Sequence, residues 1–315
     1  MNLSVIVPAF NAETTLPALL ESLSDQSYRD FEIVVIDDAS RDRTSQIARS
    51  YNCKFISLSK NQGPAFCRNI GAQNAKGRIL VFTDSDCRAD RYWLENIDKF
   101  FSQNDAEVMM GRVVLMPSTL LGDSISALGF PAGGAIGFER IWRVDQYGFT
   151  DSLSSCNCAI RKDIFDKIGG FDMSFPYPGG EDSLLAYSLR RLNYRIKYYP
   201  SVLVYHDARD SLTGFLKWQF RRGISSFIFS TKVSNKGQFS SLRLWSTGNI
   251  IRHYWTDKKF PLIFTLLMMS FFVQFFGYLY GRKKGKFDEG IDHKSSVAGQ
   301  RVWDTVTEQN HQAQK

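Results

Sequence analysis

Cysteine is scarce and irregular in this 315-residue chain: five residues, Cys53, Cys67, Cys87, Cys156 and Cys158, an odd number without a framework spacing. Cys156-x-Cys158 has no second pair to complete a zinc site. The thiols are therefore expected to be reduced and mostly buried in a cytosol-facing domain. The opening MNLSVIVPAF lacks a basic leader, and its apolar run is too short for a signal h-region, so it reads as a first β-strand. Acids are missing from Ser211–Thr256, which holds seven Lys or Arg. Charge of either sign is missing from Phe260–Tyr280, 21 residues with Thr265, Ser270 and Gln274 as polar groups. A disordered or collagen-like chain is excluded by a composition that is 43% hydrophobic and 23% charged.

What charge there is falls unevenly. Residues 211–315 hold 16 basic and 6 acidic side chains, against 23 and 26 in residues 1–210, so the net +7 comes from the last third. A basic strip suits lipid headgroups, phosphates or nucleic acid. Its place beside a hydrophobic run favours membrane lipids, bound through 211–286, over the nucleic acid that a pI of 9.1 invites. As a helix, Phe260–Tyr280 is about 31 Å long, enough to cross a bilayer core. Lys258 and Lys259 precede it, and Arg282, Lys283, Lys284 and Lys286 follow it, so both flanks look cytoplasmic. A single crossing and a re-entrant or in-plane segment both remain open. The expectation is a membrane-associated protein whose catalytic domain faces the cytoplasm.

From Met1 to about Arg91, strand and helix signals alternate. Leu3–Val7, Phe31–Ile36 and Arg78–Thr83 read as buried strands, and Lys54–Leu58 as a further strand between the last two. Asn11 and Thr14/Thr15 offer caps for a helix carrying Leu16, Leu19, Leu20 and Leu23. Ser40 and Thr44 open a second helix, and Gly63-Pro64 precedes a third. This alternation predicts a doubly wound, mostly parallel α/β sheet, whose ligands bind beyond the carboxyl ends of the strands. Further on, Tyr92–Phe101 reads as helix, Val108–Leu115 as strand, and Leu121–Gly137 as a mobile loop or short interfacial helices. Two strands, around Arg195–Tyr199 and Val202–Tyr205, lead to His206.

Two acidic clusters end strands, Asp37-Asp38 and Asp84-Ser85-Asp86. Acids at one sheet edge repel unless a cation, a donor or water lies between them, and a hard divalent ion holding a diphosphate fits. Helix capping is the plainer account. Glu181-Asp182 opens a helix after a Pro/Gly loop, as dipole-favoured acids or as a general base facing the same cleft. Lys217–Gly223 mixes aromatics with Arg, as the solvated face of a helix or as a clamp on a charged leaving group.

Together, SVIVPAFN at Ser4–Asn11, VVIDDAS at Val34–Ser40, GPAFCRNIGAQNAKG at Gly63–Gly77 and FTDSD at Phe82–Asp86 resemble the family 2 glycosyltransferases. CAIRKDIFDKIGGFD at Cys158–Asp172 and GGEDSLLAYSLRR at Gly179–Arg191 continue the same order. The resemblance covers about residues 1–225. It implies a GT-A fold and inverting transfer from a nucleoside-diphosphate sugar, such as a UDP- or GDP-sugar, with a divalent metal, Mg²⁺ or Mn²⁺. It further implies that Pro8, Phe10 and Asn11 hold the base, with Phe10 stacking on it, and that Asp38 accepts from the base ring. Arg68 would lie beside the nucleotide, Asp84 at the ribose, Asp86 on the metal and His206 near the diphosphate or metal. Asp182 would be the base that takes the acceptor proton. Gln219 and Arg222 match Q-x-x-R of the processive members' Q-x-x-R-W, but Gly223 stands where those carry Trp. With one hydrophobic segment, that departure argues against a polymer-extruding synthase.

The domain plan that follows is a nucleotide-binding half at 1–91, an acceptor half at 92–225, a basic membrane-proximal region at 226–259, a hydrophobic segment at 260–281 and a polar tail at 282–315, frayed from Val297. The apolar, Gly-rich Leu121–Gly137 suits a lipid-linked or cell-surface glycan acceptor. A sugar-phosphate nucleotidyltransferase would want a Gly-rich basic loop near the start, which Pro8–Thr15 does not supply. A membrane-anchored, inactive binding module need keep none of Asp38, Asp84, Asp86 and Asp182.

Overall fold

The computed structural model describes residues 1–104, 106–233 and 237–288; the expected tail beyond 288 lies outside them. The first half alternates β1 (Leu3–Ala9), α1 (Leu16–Ser24), β2 (Phe31–Asp37), α2 (Thr44–Arg49), β3 (Lys54–Ser57), α3 (Pro64–Asn74) and β4 (Ile79–Thr83). Helices cover both faces of these strands, so Val5, Ile6, Val7, Val34, Val35, Leu80 and Val81 are fully buried, as near-continuous apolar runs require. Leu16, Leu19, Leu20 and Leu23 of α1 are buried as their spacing predicts, but Thr15 makes no side-chain cap bond. Pro17 instead fills the first turn, where a missing N–H costs nothing.

The second half comprises β5 (Cys87–Ala89), α4 (Trp93–Gln103), β6 (Val108–Leu115), α5 (Leu120–Ser126), a 3₁₀ turn at Gly134–Ile136, and α6 (Phe138–Ile141). It continues through β7 (Phe149–Thr150), β8 (Asn157–Arg161), α7 (Lys162–Ile168), α8 (Glu181–Arg191), β9 (Ile196–His206), α9 (Leu212–Lys232), α10 (Gly237–Tyr254) and α11 (Phe260–Asp288). All described strands form one sheet in the order β3-β2-β1-β4-β8-β6-β9-β5, with β7 also on β9. Its first four strands are parallel, but β8 runs antiparallel to both β4 and β6, and β5 and β7 antiparallel to β9. The sheet is therefore mixed. Parallel neighbours need a crossover of the strand–helix–strand kind, and β8 follows β6 by another route, through α5, the 3₁₀ turn, α6 and β7.

Two further expectations change. The two strands before His206 are one, β9, whose pairing with β6 slips at Gly111/Arg112 so that Pro200 and Ser201 turn outward. Of the two readings of Leu121–Gly137, short helices hold, as α5 and the 3₁₀ turn, and the open loop does not. Ile125, Leu128 and Ile136, with Ile141 beyond it, form a second core with Phe215 of α9, Ile250 of α10, and Ile263, Leu266 and Leu267 of α11. α9 and α11 touch backbone to backbone. A Cβ at Gly223 would run into the Gln274 carbonyl, and one at Gly277 into that of Phe220. No Trp fits at residue 223, because α11 occupies its place.

Candidate active site

The carboxyl ends of β1, β2 and β4 open on one edge of the sheet. Pro8 lies beyond the last β1–β4 pair, Ile6↔Phe82, where a missing N–H costs no ladder bond to β4. Phe10 follows, 49% exposed, with an aromatic face free at the rim. Asn11 adopts a left-handed φ of 48°, which Asn tolerates better than most residues. Its Oδ1 accepts from Arg41 N at 2.9 Å, and its own N–H donates to Ser40 Oγ at 2.9 Å. Asp37 accepts from Ser40 N at 3.0 Å and from the Ser45 hydroxyl. Asp38, 3% exposed, accepts from Gln62 N at 2.7 Å and Gly63 N at 2.8 Å. This acidic pair thus meets protein donors, and Asp38 holds the turn that launches α3.

From α3, Arg68 reaches across the sheet edge. It is 3% exposed, and its two terminal nitrogens donate to Asp84 Oδ1 at 2.6 Å and Glu181 Oε1 at 3.1 Å. One guanidinium thereby joins the D-S-D loop after β4 to the start of α8, 113 residues away. Asn69 ties the same helix to the loop after α7, exchanging bonds with Phe171 N at 2.9 Å and Phe171 O at 2.8 Å. Glu181 Oε2 accepts from Gly179 N at 2.7 Å, so both its oxygens are engaged. Burial, with Asp182 beside it, pushes its carboxyl up to about 7 against the pull of Arg68. Asp182 is half-buried and accepts from Ser183 N at 2.8 Å. Burial raises its carboxyl too, while Arg68 and Arg222 oppose the rise.

Arg222 comes from α9. Its guanidinium lies 4.1 Å from the centre of the Phe130 ring and 5.1 Å from that of Trp218. Burial brings its pKa down to about 10; Asp182 opposes the fall, while Arg243 and Arg209 add to it. Gln219, fully buried, is turned the other way: its Oε1 accepts from Gln274 on α11.

The register of β9 sets His206 opposite both Cys87 and Leu115, which brings it to Asp86. His206 is 4% exposed, and its Nδ1–H donates to Asp207 O at 2.7 Å, leaving Nε2 aimed at Asp86 Oδ1, 3.3 Å away. A ring nitrogen and a carboxylate at that spacing match adjacent ligands of an octahedral ion, about 3 Å apart for metal–ligand distances near 2.1 Å. Asp86 and His206 therefore fit a hard divalent metal. Cys87 lies within the same cluster, but its soft sulfur suits a hard divalent ion less well than the carboxylate and imidazole do.

The tertiary structure thus gathers Arg68, Asp84, Glu181, Asp182 and Arg222 into one cluster, with Asp86, two residues past Asp84, paired to His206 beside it. Phe10, Asn11 and Asp38 stand at the neighbouring strand ends, and Gln219 is withdrawn into the helix pair. Sequence reasoning missed the Arg68–Glu181 pair, the aromatic seat of Arg222, and Arg243. The Arg68–Glu181 pair and the Phe130 side of the Arg222 seat join residues far apart in the chain, which no local spacing signals, whereas Trp218 stands one helical turn from Arg222 within the Lys217–Gly223 run.

Such an edge on such a sheet defines a GT-A glycosyltransferase. The fold is shared with the mannosyltransferase PcManGT from Pyrobaculum calidifontis, solved in complex with GDP-Man and Mn²⁺ (TM-score 0.54, 18% identity, covering 85% of this chain and 74% of that one). The chain belongs to glycosyl transferase family 2, whose profile matches residues 4–169. Glycosyltransferase AglE of Haloferax volcanii is 27% identical over 237 residues, 70% of this chain and 71% of AglE. The Escherichia coli UDP-Glc:alpha-D-GlcNAc-diphosphoundecaprenol beta-1,3-glucosyltransferase WfaP is 29% identical over 272 residues, 81% of this chain and 98% of WfaP. The protein is a glycosyltransferase acting on nucleotide sugars.

Proposed function

We propose that the protein transfers a sugar, with inversion, from a nucleoside-diphosphate sugar to a hydroxyl of a lipid-linked or cell-surface glycan at the membrane, with Asp182 as general base. The observation that carries this is the Arg68 bridge, which sets the Asp84 carboxylate and the Glu181–Asp182 pair on one cleft. Glu181 has both oxygens engaged, whereas Asp182 is half-buried, has no ion pair among the described residues, and has its carboxyl raised from its ordinary value by burial. Asp182 is thus the carboxylate placed to accept a proton. As it takes the acceptor hydroxyl's proton, that oxygen bonds to the anomeric carbon from the face opposite the diphosphate, whose bond to the sugar breaks.

Phe10, beside Pro8 and Asn11, offers the base an exposed face to stack on. Asp84 takes the ribose, Asp38 shapes the base pocket through the 62–63 turn, and Arg222 faces the developing diphosphate charge. Asp86 and His206 would hold the divalent ion, Mg²⁺ or Mn²⁺, which would supply a Lewis acid for the charge on the leaving diphosphate. Residues 1–91 then form the donor half and 92–225 the acceptor half. Support for the donor class comes from PcManGT with GDP-Man and from the UDP-Glc in the name of WfaP; that name also supports a diphospholipid-linked acceptor.

The test is calorimetric titration of the detergent-solubilised chain with UDP and GDP, each with and without Mn²⁺, on wild type and Asp86→Ala. Metal-dependent binding of one nucleotide, lost in the variant, is expected. No binding of any nucleoside diphosphate by the folded chain refutes the reading and favours an inactive, membrane-bound module.

A further inference from the structure

The apolar helix α11 is buried along one stripe for most of its length. Ile263, Leu266, Leu267, Ser270, Gln274, Gly277 and Gly281 face inward at helical spacing, over about 27 Å. At the start of the helix, Lys259 Nζ pairs with Asp123 of α5 at 2.7 Å. Through the middle, Gln274 bonds Gln219 and Gly277 meets Phe220. Near its end, Gly281 packs on Ile224 and Phe227, and the Tyr278 and Phe227 rings lie 5.6 Å apart. The partner helix α9 is part of the catalytic domain. Between these contacts it carries Lys217, Arg221 and Arg222, and Arg222 faces Asp182.

A perpendicular crossing would either strip this stripe, with its glycine approach, or carry the charges of α9 into the hydrocarbon. The opposite stripe is apolar and bare: Phe264 is 41% exposed, Phe272 67%, Phe275 58%, Phe276 59% and Leu279 40%. At its two ends stand exposed Trp255 and Lys258, and exposed Arg282, Lys283 and Lys284. Cations at both ends of a phenylalanine ridge, with a tryptophan at the first, complement an anionic headgroup layer on one side of a bilayer.

We infer that α11 is an in-plane anchor: it stays docked on the catalytic domain and sinks its phenylalanine ridge into one leaflet of an anionic bilayer, with both ends on the same side. The basic flanks at each end follow from this without conflict. Under the acceptor reading above, on which this one consequence rests, Asp182 lies one helix layer from the headgroups. The experiments below read no transfer, so failure of the anchor and failure of that reading are separable.

The full chain is mixed with phosphatidylglycerol/phosphatidylcholine vesicles and floated, as wild type and as Phe272→Ser/Phe275→Ser/Phe276→Ser. Because these side chains are exposed, the variant should keep its thermal midpoint in detergent, while its vesicle partition falls on the order of 10²-fold. Unchanged partition overturns the proposal. Loss of dimers in gel filtration, with no vesicle binding by wild type, also overturns it and gives the ridge to a second copy of the chain. Separately, Thr256→Cys and Lys284→Cys, each with Cys53→Ser, are exposed to a membrane-impermeant maleimide in sealed inside-out vesicles from an expressing bacterium. Both positions are expected to label before permeabilisation. Labelling of one only after permeabilisation shows a crossing helix and refutes the in-plane anchor.

Discussion

Glu181→Gln probes the centre of the site through pH. In the folded chain this carboxyl sits at about 7, against an ordinary value of 4.5, because burial and Asp182 outweigh Arg68. Between those values the folded chain keeps a proton that the unfolded chain has released. Stability from this group is therefore complete below 4.5 and is lost as pH rises through about 7. At 1.36 kcal/mol per pKa unit, the loss amounts to about 3 kcal/mol. Gln does not titrate, so the variant lacks this slope. It carries a constant penalty instead, since Arg68 and Gly179 N both donate to Glu181 and an amide can accept from only one of them. That penalty is about 1–3 kcal/mol at every pH. Urea unfolding of both proteins in the same detergent, from pH 4.5 to 8, reads the difference. Wild type should lead at acid pH, and its lead should shrink by about 3 kcal/mol by pH 8. Parallel curves, or a lead that widens with pH, would refute the assignment of a raised Glu181 carboxyl.

Asp182→Asn is expected to keep donor binding and to lose transfer by about 10²-fold or more, measured as product formed under saturating donor. Normal transfer moves the base elsewhere. Gly223→Ala drives a methyl into the Gln274 carbonyl and should cost about 1–3 kcal/mol, read as a lower thermal midpoint; an unchanged midpoint means that α9 and α11 do not meet there. Asp38→Asn must leave the N–H of Gln62 or Gly63 without an acceptor, so it should lose about 1–3 kcal/mol of stability. Weakened nucleotide binding with full stability would instead make Asp38 a ligand of the base rather than the support of its pocket.

The first half of the fold was legible because β1, β2 and β4 are short apolar runs and each of β1, β2 and β3 is followed by a helix, an alternation that admits few topologies. The reversal of β8 was not, since nothing local tells a buried strand which way its neighbours run. Strand-end acids stood out in the chain, yet their uses diverged: Asp37 and Asp38 serve the loops, while Asp84 and Asp86 face Arg68 and His206. Leu121–Gly137 read as a loop or as short helices because its apolar groups lack period; it carries short helices, and its burial depends on three helices contributed by chain more than 70 residues later.

Taken alone, the amino-acid sequence, which did not announce β5, β7 and β8, determined the strands of the first half and β6, where the acids would cluster, that one segment would be apolar throughout, and the family to which these motifs belong. These are properties of neighbouring residues, set by side-chain period, turn chemistry and composition. Tertiary structure alone decided that Arg68 would hold Asp84 and Glu181 together, that His206 would turn its Nε2 to Asp86, and that Gly223 would yield its place to α11. Each of these is a contact between residues distant in the chain. It exists because packing the sheet and its helices leaves a buried charge or a bare backbone that another part of the molecule must meet.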